Sequence, residues 1–235
     1  ERASDKTYLQ KYGFYNDQPY LDSGAKLEVF GQSSYVVADA HMFQELRTYS
    51  SIHATPDGNI LPNIRATHQT APFFKETYAT LSADMLGISG DGTSTQRMIG
   101  DARITSPWTL WGGNRITASL SARYDLYHFN NTEMVGRNIF SGFKNRFLPS
   151  GYLEWGLPMF RPSQNWTQII EPRVRLTAMR RMDAEEFAID NDSAGTILTD
   201  ATLFSDNRFA GLDLWENGTY ADYGVRWAAF SKSNK

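Results

Sequence analysis

The chain contains no cysteine, which excludes disulfide bonds, thiolate chemistry and cysteine-ligated zinc. It also lacks a dominant charge. Its 23 Lys and Arg against 26 Asp and Glu give a formal net charge of −3 over 235 residues, so no basic field points to nucleic acid. No apolar run approaches the ~20 residues of a membrane helix. That absence excludes helical spans only: a membrane barrel shows its apolar residues one in two, so its hydropathy passes for that of a soluble protein. The mean hydropathy here is −0.47. With no initiator Met and no signal peptide at Glu1, the expectation is a processed chain or an excised piece.

What the sequence has is a period of two. In residues 114–129, Ile116, Ala118, Leu120, Ala122, Tyr124 and Leu126 alternate with Arg115, Thr117, Ser119, Ser121, Arg123 and Asp125. That is a strand with one apolar and one charged face; a helix would mix the two sets on every side. The pattern recurs in residues 74–86, 96–108, 165–180 and 219–230. It is less clean in 25–37, 59–69 and 147–159 and ambiguous in 41–51. The expectation is an all-β, antiparallel up-and-down meander of about nine long strands, with one short helix near residues 5–12. Short connections are expected near Asp39 and at residues 70–73, 109–113 and 161–163. Longer ones are expected at 51–58, 87–95, 130–146 and 181–218. Nothing interrupts this order, so residues 1–235 are expected to form a single domain, with a loop and short helix over 1–23 and a long outside loop over 181–218.

Alternation alone does not say which side meets water. In a soluble sandwich the apolar face is the core; in a membrane barrel it meets lipid and the polar face lines a wet interior. Three features favour the membrane. The expected strands are ~12–16 residues, whereas globular strands cluster around ~5–6 and a spanning strand needs ~9–11. Trp108, Trp111, Trp155, Trp166 and Trp227 fall at or near strand ends, where an interfacial girdle belongs. The apolar face is rich in Ala and Gly, which fill a packed core poorly. The polar face then carries Arg65, Asp84, Asp101, Arg103, Arg123, Asp125, Glu154, Glu171, Arg173, Arg175, Asp222 and Arg226. Buried against a core these charges would each need a partner; around a hydrated lumen they can pair or stay solvated.

Catalytic and metal signals are weak. His41, His53, His68 and His128 are scattered without metal spacing. The DNDSAG stretch at 190–195 has Ala194 where a calcium loop needs a ligand, and no nucleophile elbow, P-loop or dinucleotide fingerprint occurs. No catalytic residue, cofactor or metal is expected. A general porin-like channel and a soluble β-sheet binding or adhesion domain remain the alternatives.

The segment LFSDNRFAGLDLWENGTYADYGVRW (203–227) changes from irregular and polar to strictly alternating. It resembles the lipopolysaccharide-assembly outer-membrane proteins of the LptD, or organic solvent tolerance, family, within their C-terminal barrel. SDKTYLQKYG (4–13), LPNIRATHQ (61–69), GDARITSPWTL (100–110), RITASLSARYDLYH (115–128) and QIIEPRVRL (168–176) follow in family order, so the likeness covers nearly the whole chain. The resemblance implies part of a large outer-membrane barrel of about 26 strands. In that family a plug lipoprotein (LptE-like) sits inside the barrel, and a periplasmic bridge delivers lipopolysaccharide through an N-terminal jellyroll. The lipid leaves by a lateral opening between the first and last strands. This chain is expected to be the middle of that wall, without the gate or the jellyroll. Lumen-lining candidates are Arg103, Arg123, Asp125, Glu171, Arg173, Arg175, Asp222 and Arg226. They would either contact the plug and the phosphate-bearing lipid head or form salt-bridge ladders that hold the wall. Asn207, Arg208, Phe209, Gly211 and Asp213 are expected to fold the rim loop rather than to bind anything.

Overall fold

The structure is a computed structural model, and it describes residues 11–13, 20–46, 58–90, 92–134, 138–183, 186, 189, 192, 193, 195 and 198–231. Ten strands form one antiparallel up-and-down sheet: β1 (Tyr20–Phe30), β2 (Ser34–Glu45), β3 (Gly58–Gln69), β4 (Tyr78–Gly90), β5 (Thr93–Thr109), β6 (Arg115–Met134), β7 (Asn138–Gly156), β8 (Met159–Pro162), β9 (Trp166–Met179) and β10 (Gly218–Ser231). The order is sequential, except that β7 and β8 share β9 as partner. Residues Ser150–Gly156 pair with one half of β9 and β8 with the other. Between them Leu157 keeps the ladder by donating to Pro172 O (3.1 Å), while Pro158, which has no N–H, interrupts it. β7 and β8 are thus one strand with a proline break.

The chain divides into two compact units. One comprises Glu1–His68, Leu81–Gly100 and Tyr124–Arg146; the other comprises Gln69–Thr80, Asp101–Arg123 and Phe147–Lys235.

Several connections differ from the sequence expectation. The first turn lies at residues 31–33, closed by Gly31 N donating to Ser34 O (2.7 Å), and not near Asp39, which pairs with Lys26 in mid-strand. The Gly and Ser residues were the turn signal, masked by apolar residues on both sides. Residues 20–23, expected in a loop, open β1. The long loops expected over 87–95 and 130–146 are instead the tips of hairpins. Thr93 Oγ1 closes one tip onto Gly90 O (2.8 Å). In the other hairpin β6 runs on to Met134, with Asn131 at positive φ (52°) inside the strand and its N–H donated to Ser141 Oγ (2.8 Å). Asn tolerates that backbone conformation, so a loop-like residue survives within a ladder. The turns at 110–114 and 163–165 and the long connection from residue 180 to 217 fall where expected. The first residues of the expected helix (5–10) and most of the expected loop at 51–58 lie outside the described residues.

Successive connections of an antiparallel meander alternate between its two ends. Within the first unit the β2–β3, β4–β5 and β6–β7 connections therefore share one end, and within the second unit the turns at 70–77, 110–114 and 163–165 share one end.

Burial is the reverse of a soluble sheet. Leu120 is 72 % exposed, Tyr223 79 % and Val225 69 %, whereas Asp125 is 0 % and Arg146 1 % exposed. Met98, Ile104, Leu153 and Trp227 are exposed as well, while Asp84, Arg97, Ser119, Arg123, Arg175 and Asp222 are buried. The alternation is the one read from the sequence, but its polar side is the covered one.

Candidate functional site: the polar face and the loop folded on it

Within the first unit the polar face is tied by ion pairs. Arg97 on β5 donates through Nε (3.1 Å) and Nη2 (2.8 Å) to Asp84 Oδ1 on β4, and Arg65 Nε on β3 reaches Asp84 Oδ2 (3.3 Å). Arg146 on β7 donates to Asp125 Oδ2 on β6 (2.6 Å) and to Tyr127 OH (2.9 Å), both partners being fully buried. Charges removed from water to this degree are tolerable only when paired and hydrogen-bonded. At the other side of this unit His41 lies between Asp22 (3.0 Å) and Asp39 (3.6 Å), the latter also held by Asn63 Nδ2 (2.9 Å).

Within the second unit Glu154 on β7 is the hub. Its Oε1 accepts from Arg173 Nη2 (2.6 Å) and its Oε2 from Arg175 Nε (2.8 Å). Arg175 reaches on to Asp206 Oδ1 (2.9 Å), which Arg103 also engages. A cavity of about 10 Å³, room for one water, lies among Ser119, Ser121, Ser150, Thr177 and Asp206.

Asp206 belongs to the irregular segment, and this is why such a segment precedes so regular a strand: residues 203–216 fold back onto the polar face. Leu203 and Phe204 sit over Gly224 of β10, where a Cβ would come within 3.3 Å of the Leu203 side chain. The Arg173 guanidinium stacks on Phe204 (4.3 Å to the ring centroid) and that of Arg123 on Trp215 (4.5 Å), while Arg123 also donates to Leu212 O. Arg208 joins Glu216 (2.6 Å) to Asp222 of β10 (3.1 Å). Burial pulls its pKa down, but the hydrogen bond to Glu216 and the charges of Glu216 and Asp222 outweigh it, so the guanidinium is held above its ordinary value.

The loop is built internally from side-chain caps on backbone. Asn207 Nδ2 donates to Leu214 O (2.9 Å) and its Oδ1 accepts from Glu216 N (3.3 Å) and Phe209 N (3.4 Å). Asp192 Oδ1 accepts from Leu212 N (2.9 Å) and Asp213 N (3.0 Å), and Ser193 Oγ from Leu214 N (2.8 Å). Gly211 has φ +84°, and a Cβ there would lie 2.4 Å from the Asp192 carbonyl oxygen. Asp213 is wholly buried. Among the described residues no group of His, Asp and Glu has the arrangement of a metal site.

A charged face buried under an exposed apolar one is the layout of a membrane barrel wall. The sequence matches the family model for LptD, LPS transport system D, over residues 1–235. The chain belongs to the LptD family. No curated protein matches it. As a member of this family it is an outer-membrane lipid-transport protein that handles lipopolysaccharide, and not an enzyme.

In this LptD-family chain the strand-borne candidates lie on the polar side, in two separate groups. Arg103, Arg123, Glu171, Arg173, Arg175, Asp222 and Arg226 are in the second unit; Asp125 is in the first, with Arg146. Arg226 stands opposite Glu171 in the β9–β10 register and is exposed. Sequence reasoning left out Arg146, Asp206, Trp215 and Glu216. Arg146 fell in a stretch read as loop, and the other three sit where no period says which face they join.

Proposed function

We propose that this chain forms part of the wall of the outer-membrane translocon that assembles lipopolysaccharide into the outer leaflet. Its polar face lines a hydrated interior through Arg103, Arg123, Asp125, Glu171, Arg173, Arg175, Asp222 and Arg226. Family membership supports the substrate class, and the observation that carries the wall is the inverted burial of a ten-stranded sheet. The pairs Asp125–Arg146 and Glu154–Arg175 hold strand to strand, and Asp206 and Arg208 hold the loop. Arg226 is exposed on the polar face and Arg173 is part-exposed. These two meet the interior partners: an LptE-like plug lipoprotein and the phosphate-bearing head of the lipid, for which a guanidinium offers bidentate contacts. Lipopolysaccharide reaches this interior from a periplasmic bridge by way of the whole protein's N-terminal domain.

The test is controlled depletion of the full-length protein in the bacterium, with newly made lipopolysaccharide measured at the cell surface. The expected result is that it stays off the surface. Normal surface lipopolysaccharide together with reduced uptake of small solutes would replace the translocon by a general porin.

A further inference from the structure

The apolar face carries a groove of about 300 Å³ within the first unit, walled by Leu61, Met85, Met98, Leu126, His128 and Phe143. That volume is at the lower end of the ~300–1,000 Å³ typical of ligand pockets. The groove has a local cause. Between β2 and β3 the register slips: Asp39 faces Asn63, yet His41 faces Ile60, so β3 holds one residue more than β2. The extra residue is at Leu61–Pro62, and Pro62 supplies no N–H to the ladder, as suits a bulge. The bulge turns Leu61 onto the exposed face (63 % exposed) and pushes its carbonyl oxygen toward β4. There Gly87 receives it: a Cβ at Gly87 would lie 2.4 Å from that oxygen. Bulge and glycine together sink the surface, and Met85 and Met98 with the tilted ring pair His128–Phe143 (ring centroids 4.5 Å apart) raise the walls.

From this we propose that the groove is a binding site for one acyl chain of a lipopolysaccharide molecule in the outer leaflet, a proposal that rests on the translocon reading above. The groove is continuous with the exposed apolar face, which in an outer-membrane protein borders hydrocarbon, so its occupant is a lipid chain and not water. Its level selects the leaflet. Met85 lies five residues before the end of β4 at Gly90, Met98 five after the start of β5, and Phe143 five after the start of β7. Within this unit those strand ends share an end with the twelve-residue connection between β2 and β3, and in membrane barrels the long connections face outward. Polarisable, flexible methionines suit a chain of varying path.

The experiment places a photoreactive residue at Met98 in the full-length protein in cells, and in a parallel strain at Leu120, which is also exposed and lies outside the groove. Lipopolysaccharide adducts several-fold more abundant at Met98 are expected, and Leu126→Trp, which fills the groove, should remove the excess while folded barrel and surface lipopolysaccharide stay unchanged. Equal adducts at the two positions, or phospholipid adducts dominating at Met98, would overturn the groove. With export intact, either result leaves the translocon standing; failure of the translocon itself shows in the depletion experiment.

Discussion

Gly211 sits where two constraints meet. Its φ of +84° costs a residue with a side chain about 1–2 kcal/mol, and a Cβ would in addition meet the Asp192 backbone, at a further ~1–3 kcal/mol for overpacking. Gly218 has the same backbone need (φ +87°) but open space around it, so Gly218→Ala should cost only the ~1–2 kcal/mol of the backbone conformation. In the full-length protein Gly211→Val is therefore expected to lower the heat-modifiable folded fraction well below that of Gly218→Ala, with export per folded barrel preserved. Semi-native electrophoresis reads the first quantity and surface lipopolysaccharide the second. Equal folded fractions for the two variants would remove the steric account of the motif. Other motif residues also serve the loop: the Asn207 side chain orders backbone, the Asp213 N–H is held by Asp192, and Arg208 moors the loop to β10.

At the scale of the strand, β6 states the physics most plainly. Even-numbered residues from Leu120 to Tyr124 face out and odd-numbered ones from Ser119 to Asp125 face in. On a soluble protein Leu120→Arg at a position 72 % exposed would be harmless. Facing hydrocarbon as the sixth residue of the twenty-residue β6 it should cost up to ~2–4 kcal/mol, while Leu120→Ile should cost little; denaturant titration of the refolded full-length barrel compares them. A neutral Leu120→Arg would put water on that face. The alternation on β4, β5, β6, β9 and β10 was legible because burial on one side only imposes it residue by residue. The hairpin tips were not. Asn130, Asn131 and Gly142 are loop residues by composition, and β6 and β7, at 20 and 19 residues, carry them beyond the ~9–11 residues a crossing needs. Asp39 read as a turn because it stands in an apolar run; it is an inward-facing residue paired with Asn63. For the site, strand-borne Arg175 and Asp222 could be assigned a face by counting. Their loop partners Asp206 and Arg208 could not, since an irregular segment has no period and its docking is decided by tertiary contacts.

At the scale of the whole molecule, a sheet that buries Arg97, Arg123, Asp125 and Arg146 and exposes Leu120, Phe143, Tyr223 and Val225 is stable only where its outside is not water. β1 and β10 each pair on one edge among the described residues, and hydrocarbon does not tolerate the other edge, so further strand pairing has to satisfy both. The apolar face therefore meets hydrocarbon and not water. A scan of single spin labels at residues 118–126 of the full-length protein in a bilayer, a stretch with no native cysteine, tests this. Collision rates are measured with oxygen, which concentrates in hydrocarbon, and with a water-soluble nickel chelate. The account predicts oxygen maxima at the even positions and minima at the odd ones, with a period of two. Even positions that collide freely with the nickel chelate would contradict it.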